Sequence, residues 1–174
     1  MIQSYRGKFP VLGKNVYIAP TATVVGDVIL GDDVSVWPSA VIRGDMNTII
    51  IGARTNIQDG AVIHVDVDTP VVIGCDVTIG HLAHVHGANV EDEVLIGSAS
   101  IVLDKALIKT HAMVAAGALV TPNKVIESNT LVAGVPAVFK RNITEAEIKH
   151  IKSNAAEYIF MKNNYLLEET ASLK

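Results

Sequence analysis

The sequence predicts a mainly β fold: a parallel β-helix of hexapeptide repeats followed by a C-terminal α-helix. Three observations predict it. Aliphatic residues recur every six positions, as Ile18, Val24, Leu30, Val36 and Ile42, then Ile51, Ile57 and Ile63, then Ile73, Ile79 and Val85. After one step of five the series resumes and runs unbroken through Val90, Ile96, Val102, Ile108, Val114, Val120, Ile126 and Val132. Small or β-branched residues stand four positions after many of these, among them Ala22, Val28, Ala40, Ala61, Ala83, Ser100 and Ala112. Beyond Asn142 the period becomes helical. A period of six fits neither the helical ~3.6 nor a heptad; it marks short strands joined by turns, three of which close one coil of a triangular prism. A β-sandwich would instead alternate with period two.

Residues 1–15 carry Gly and Pro without a clear period and read as an irregular lead-in with at most one short strand. Residues 16–141 form the β-helix. Its coils stack about 4.8 Å apart, with backbone hydrogen bonds along the axis and aliphatic ladders inside. That interior explains why a chain 49% hydrophobic is only 5% aromatic. The repeat breaks between Ile42 and Ile51, between Ile63 and Ile73, and between Val85 and Val90. Such breaks are loops or register shifts, where function commonly sits. Residues 142–168 read as an amphipathic helix. Thr144 and Glu147 make a capping box, and Ile148, Ile151, Ala155, Tyr158 and Ile159 share one face. Residues 169–174 are expected to be a frayed tail.

Composition narrows the function. A chain of 174 residues suits one domain. The net charge of −4, with no basic stripe, argues against nucleic acid and against an anionic membrane surface. No apolar run approaches the roughly 20 residues of a membrane helix. The lone Cys75 and an N-terminus without the apolar core of a signal peptide point to a cytoplasmic protein.

The register then places the polar residues. With three repeat steps per coil, Ile42, Ile63, Val85 and Val102 lie on one face. Arg43, His64, His86 and Leu103 follow them directly and stack outward on consecutive coils. Two histidines one coil apart can share a metal ion. His81 falls on another face, two after Ile79, one coil from Asp59, with Gln58 and Asn56 beside it. It can join the pair across a corner of its own prism or, more naturally, from another subunit. A head-to-tail contact of that kind closes economically as a cyclic trimer. Three imidazoles with an open fourth position are the ligand set of a hydrolytic or hydration zinc centre, whose water has a pKa near 7. His84 is out of step with the ladder and reads as a surface or interface residue; His111 and His150 are expected to lack partners. Cys75 reads as a small buried or interfacial residue.

The segments VIRGD at 41–45, TNIQDG at 55–60, IH at 63–64 and VTIGHLAHVHGA at 77–88 resemble the γ-class carbonic anhydrase family, and the resemblance covers nearly the whole chain. It implies a left-handed β-helix and a homotrimer. It also implies a metal, usually Zn2+ with Fe2+ or Co2+ as alternatives, held by His64 and His86 of one subunit and His81 of its neighbour. Arg43 and Asp59 resemble the family's intersubunit ion pair, with Asp45 in the same network. Asn56 and Gln58 resemble residues that orient substrate and the metal's water, and Tyr158 resembles a tyrosine that approaches the site. The reaction implied is reversible hydration of CO2 to bicarbonate by metal-bound hydroxide. The chain departs from archetypal members at Met46, where they carry an acidic residue, and at VDVDTP, where they carry a longer acidic loop. Both features serve proton transfer, for which Asp66 and Asp68 are the local substitutes. Two rivals remain: a hexapeptide-repeat acyltransferase using acyl-coenzyme A, suggested by AGVPAVFKR at 133–141, and a catalytically quiet metal-binding assembly protein.

Overall fold

A computed structural model describes residues 1–172 of the chain. Strands of two or three residues pair in parallel with the strand one coil on, as in the series Thr78, Leu95, Met113 and Leu131. Two sheets result, of 12 and 8 strands. The larger one bends over two faces, because the 11-residue strand Val41–Ile51 pairs through its first residues with Val62–His64 and through its last with Val71–Ile73. We call these the first and second faces. The 8-stranded sheet, which includes Ser35–Val36, Asn56–Ile57, Thr78–Ile79 and Leu95–Ile96, is the third.

The predicted ladders are the core. Every leading aliphatic from Val24 to Val132 is buried, and so are the small residues four positions on, from Ala22 to Ala118. The breaks take three forms. Between Ile42 and Ile51 the chain stays extended around a corner and shifts register against Thr23–Leu30. Between Ile63 and Ile73 it makes a tight loop closed by a bridge between Asp66 and Thr69. Between Val85 and Val90 the corner shortens at Gly87, which has φ 54° and where a Cβ would collide with the Asp104 and Thr69 side chains.

Three expectations are corrected. The lead-in holds two short strands, Ile2–Gln3 and Val11–Leu12, both paired with Thr23–Leu30, so it belongs to the larger sheet. The helix spans Glu145–Ser172. Its start is delayed because Val138–Asn142 first pairs antiparallel with Thr130–Ala133, and its end runs past 168, so the expected tail is helical through 172; residues 173 and 174 lie outside the described residues. His111 does have partners: Glu93, His111 and Asn129 occupy one corner on successive coils, each with left-handed φ, and the imidazole bonds Glu93 through Nε2 and Asn129 through Nδ1, the latter at 3.2 Å.

The capping box forms as expected, with Thr144 N–H donating to Glu147 Oε2 at 2.8 Å and Glu147 N–H to Thr144 Oγ1 at 3.3 Å. The helix lies over the third face. Ile151 and Ala155 are buried there, and Tyr158 meets Trp37 edge-on with ring centroids 5.4 Å apart. Lys162 is 0% exposed and pairs with Asp33 at 2.9 Å. The third face is therefore covered, whereas the first faces outward.

Candidate metal centre

On the first face, strand register puts Arg43 beside His64 and His64 beside His86 on successive coils. The ladder read from spacing is real. His64 Nδ1 and His86 Nε2 converge to 3.1 Å. Each ring turns its other nitrogen to a carboxylate: His64 Nε2 to Asp45 Oδ1 at 2.9 Å, and His86 Nδ1 to Asp104 Oδ1 at 2.7 Å. A neutral imidazole has one N–H. If both N–H groups serve the carboxylates, two lone pairs face each other, an arrangement that a cation relieves. Two nitrogens bound to a tetrahedral ion at 2.0–2.1 Å stand about 3.3–3.4 Å apart, so the observed gap fits such an ion closely. Carboxylates behind metal-ligating histidines fix tautomer and ring orientation.

The electrostatics agree. Burial alone would raise the Asp45 pKa, but hydrogen bonds from His64 and Arg43 and the Arg43 charge outweigh it, so Asp45 titrates below its ordinary value and stays ionised. His84 is half-buried in the same strand, with its ring edge-on to His86 at 5.8 Å. Burial, then the neighbouring His86 and His64, lower its pKa from 6.5, which keeps it neutral at pH 7. Asp104 is not among the residues expected from the sequence: the register sets Leu103 opposite His86, and the shortened corner at Gly87 brings Asp104 alongside.

His81 lies apart, at the corner leading out of the third face. It occupies a turn closed by Ala83 N–H donating to the Gly80 carbonyl at 3.1 Å, with Leu82 in the left-handed region at φ 59°. That geometry swings the imidazole outward, and its side chain is 50% exposed. Asp59 takes His81 Nδ1 at 3.0 Å, which leaves Nε2 as the free nitrogen. The expected neighbours are present. Gln58 Oε1 accepts from His81 N–H at 3.2 Å, and Gln58 Nε2 donates to Asn56 Oδ1 at 3.0 Å. Asn56 and Gln58 are buried.

Tyr158 lines one concavity with Gln58, Thr78, His81 and Asn154. Burial, with the charges of Asp59 and Glu157, raises its phenol pKa above 10, so it remains protonated and able to donate. Arg43 bonds Asp45 within the chain, while Asp59 bonds His81; Arg43 and Asp59 side chains are 45% and 49% exposed. Met46 is exposed, as are Asp66 and Asp68 on the loop after His64. Among the described residues of one chain, no group of three or more His, Cys, Asp or Glu side chains is arranged to hold a metal ion. Nor is any helix among them long and apolar enough to cross a membrane.

Comparison with known proteins adds an independent line. The family described as bacterial transferase hexapeptide (six repeats) matches residues 9–44. A protein named "Probable carbonic anhydrase" from Methanocaldococcus jannaschii is 50% identical over 149 residues, covering 86% of this chain and 94% of the relative. "Gamma carbonic anhydrase 2, mitochondrial" of Arabidopsis thaliana is 40% identical over 173 residues, 96% of this chain; the chain spans 62% of that relative's length. A solved hexapeptide transferase family protein from Anaplasma phagocytophilum superposes with TM-score 0.92 at 38% identity, covering 95% of this chain and 98% of the other.

Proposed function

The chain belongs to the γ-class carbonic anhydrase family, and from that premise we propose that it catalyses the reversible hydration of CO2 to bicarbonate at metal centres shared between copies of itself. The observation that carries this reading is the converging His64–His86 pair with a carboxylate behind each ring. Two ligands on one face with a third on another favour assembly of the centre between chains, and a cyclic homotrimer closes such contacts. His64 and His86 of one copy and His81 of a neighbour would hold the ion, which the all-nitrogen donor set suits as Zn2+ and also as Fe2+ or Co2+. When bound, such an ion brings the pKa of a coordinated water near 7 and so supplies hydroxide at neutral pH.

The remaining residues orient and carry protons. Gln58 has one acceptor position committed to His81 N–H and one donor committed to Asn56. Its amide keeps one N–H and one lone pair free to align water and CO2. Asp59 holds the His81 tautomer, and Asp45 and Asp104 hold those of His64 and His86. The exposure of Arg43 and Asp59 leaves both able to pair across the subunit contact. Tyr158 supplies a protonated hydroxyl at the edge of the concavity. With Met46 in place of an acid, the proton of each turnover leaves through Asp66, Asp68 or external buffer.

The test is to measure bound metal in protein purified without chelator or added zinc, then CO2 hydration before and after metal is restored. About one metal per chain and hydration that depends on it are expected. A hydration rate that rises with buffer concentration marks proton release as the slow step. Metal without hydration would leave an assembly role. Absence of metal together with acetyl transfer from acetyl-coenzyme A would favour the acyltransferase reading, which the hexapeptide transferase likeness keeps in view.

A further inference from the structure

The Gln58 amide is one link in a longer run of hydrogen bonds that begins at the metal corner and ends on the C-terminal helix. His81 N–H donates to Gln58 Oε1 at 3.2 Å, and Gln58 Nε2 donates to Asn56 Oδ1 at 3.0 Å. Asn56 Nδ2 donates to Thr78 Oγ1 at 3.0 Å, and Asn154 Nδ2, from the helix, donates to the same hydroxyl oxygen at 2.8 Å. Asn56 and Thr78 occupy matched positions on adjacent coils of the third face. Such positions point away from the core and would meet water on a bare prism. Here the helix covers them, leaving Asn56 0% and Thr78 3% exposed.

Burial makes the pattern restrictive, because each buried polar atom must find a partner. The backbone N–H of His81 can only donate and draws Gln58 Oε1 from one end, while Asn56 Oδ1 draws Nε2 from the other, so the amide is held between two partners. Asn56 turns Oδ1 toward Gln58 and Nδ2 toward Thr78 at 3.0 Å, with the Val77 carbonyl as a longer second acceptor at 3.4 Å. At the far end Asn154 takes one lone pair of the Thr78 oxygen and holds the other toward Asn56. All the donors between His81 and Thr78 point the same way, and such runs reinforce one another in a low-dielectric setting.

We propose that Asn154 is a positioning residue for CO2 hydration, acting through Thr78 and Asn56 to set the orientation of the Gln58 amide. The C-terminal helix thereby tunes the site from behind the third face. The proposal rests on the hydration reading above only for its effect on rate.

The test uses the full-length, metal-loaded protein with Asn154→Leu, close to Asn in size but without a donor, and Thr78→Val, which cuts the run at its middle joint. The first readout is the side-chain amide resonance of Gln58, identified by its loss in Gln58→Ala. Either variant should shift that resonance and speed its solvent exchange by about fivefold, the equivalent of one ordinary hydrogen bond. The second readout is kcat. It should fall by about fivefold in each variant, fall no further when the two are combined, and be insensitive to Asn154→Leu in the Gln58→Ala background. An unchanged Gln58 resonance, or a rate loss that persists in the Gln58→Ala background, would overturn the relay. A shifted resonance in a protein that hydrates no CO2 would support the relay and remove the reaction assigned to it.

Discussion

The first and third faces of the prism carry the two halves of the proposed centre, and they are built in opposite ways. On the first, the histidines stack on an outward face and draw their order from carboxylates on neighbouring coils, Asp45 and Asp104. On the third, polar side chains that a solenoid would leave wet lie beneath a helix, and His81 reaches solvent at the corner together with its partner Asp59. One half can be met by another copy; the other is prepared from behind. The difference shows how a repetitive scaffold acquires a site: its ladders fix where residues stand, and what covers each face decides how firmly they are held.

The deepest perturbation should ignore this contrast. Ile63 faces inward from the first face and Ile79 from the third, and both are 0% exposed. Either one changed to Ala should cost about 2–5 kcal/mol of stability in denaturant unfolding, with no consistent difference between faces. A large asymmetry would break the picture of one shared core. Next, Asp104→Asn on the first face and Asp59→Asn at the His81 corner should each weaken metal binding by about 10–100-fold by titration, since each removes the group behind one ligand. An effect on one face alone would mean that the other half does not hold metal.

The smaller effects separate the faces. Thr144→Ala removes the helix cap and should cost about 1 kcal/mol. The signal is Trp37, the single tryptophan, which packs against Tyr158 and Tyr165 and therefore reports helix docking. Its near-UV dichroism should change at lower denaturant than the β signal does. Acid should act in the same direction. Hydrogen bonds from Arg141 and from the Thr144 backbone lower the Glu147 pKa from 4.5 to about 2. A depressed folded-state value stabilises the folded form above the unfolded pKa, and that contribution fades as pH falls from about 4.5 toward 2. The Trp37 signal should thus loosen in this window in wild type and lose that sensitivity in Glu147→Gln.

What the sequence made legible follows from this physics. The six-residue period set three repeats per coil, and parallel pairing carried that arithmetic unchanged into the structure, so Arg43, His64 and His86 could be stacked from spacing alone. His81 beside Asp59 came from the same register. Asp104 is less legible, because the five-residue step after Val85 shifts the alignment by one, from Leu103 opposite His86 to Lys105 opposite Gly87. Corner residues stack by the same rule, which pairs His111 with Glu93 and Asn129. Asn154 and Lys162 were beyond such reasoning. Helical periodicity fixes which residues share a face of the helix, but not how far along the prism it sits, so neither the Asn154–Thr78 bond nor the Lys162–Asp33 pair follows from spacing.

The central claim, that the metal centre forms between chains, is tested most directly by complementation. His81→Ala and His86→Ala chains are prepared separately, then unfolded, mixed and refolded together, with bound metal and CO2 hydration measured before and after. Each variant alone should fold, since neither residue belongs to the core ladders, yet bind little metal. In mixed cyclic trimers one contact of three joins an intact His81 to an intact His64–His86 pair, and random association of equal amounts makes about three quarters of trimers mixed, so the mixture should recover about a quarter of wild-type metal and activity. A mixture as empty and inactive as its two components would contradict the account, because it would put all three ligands in one chain.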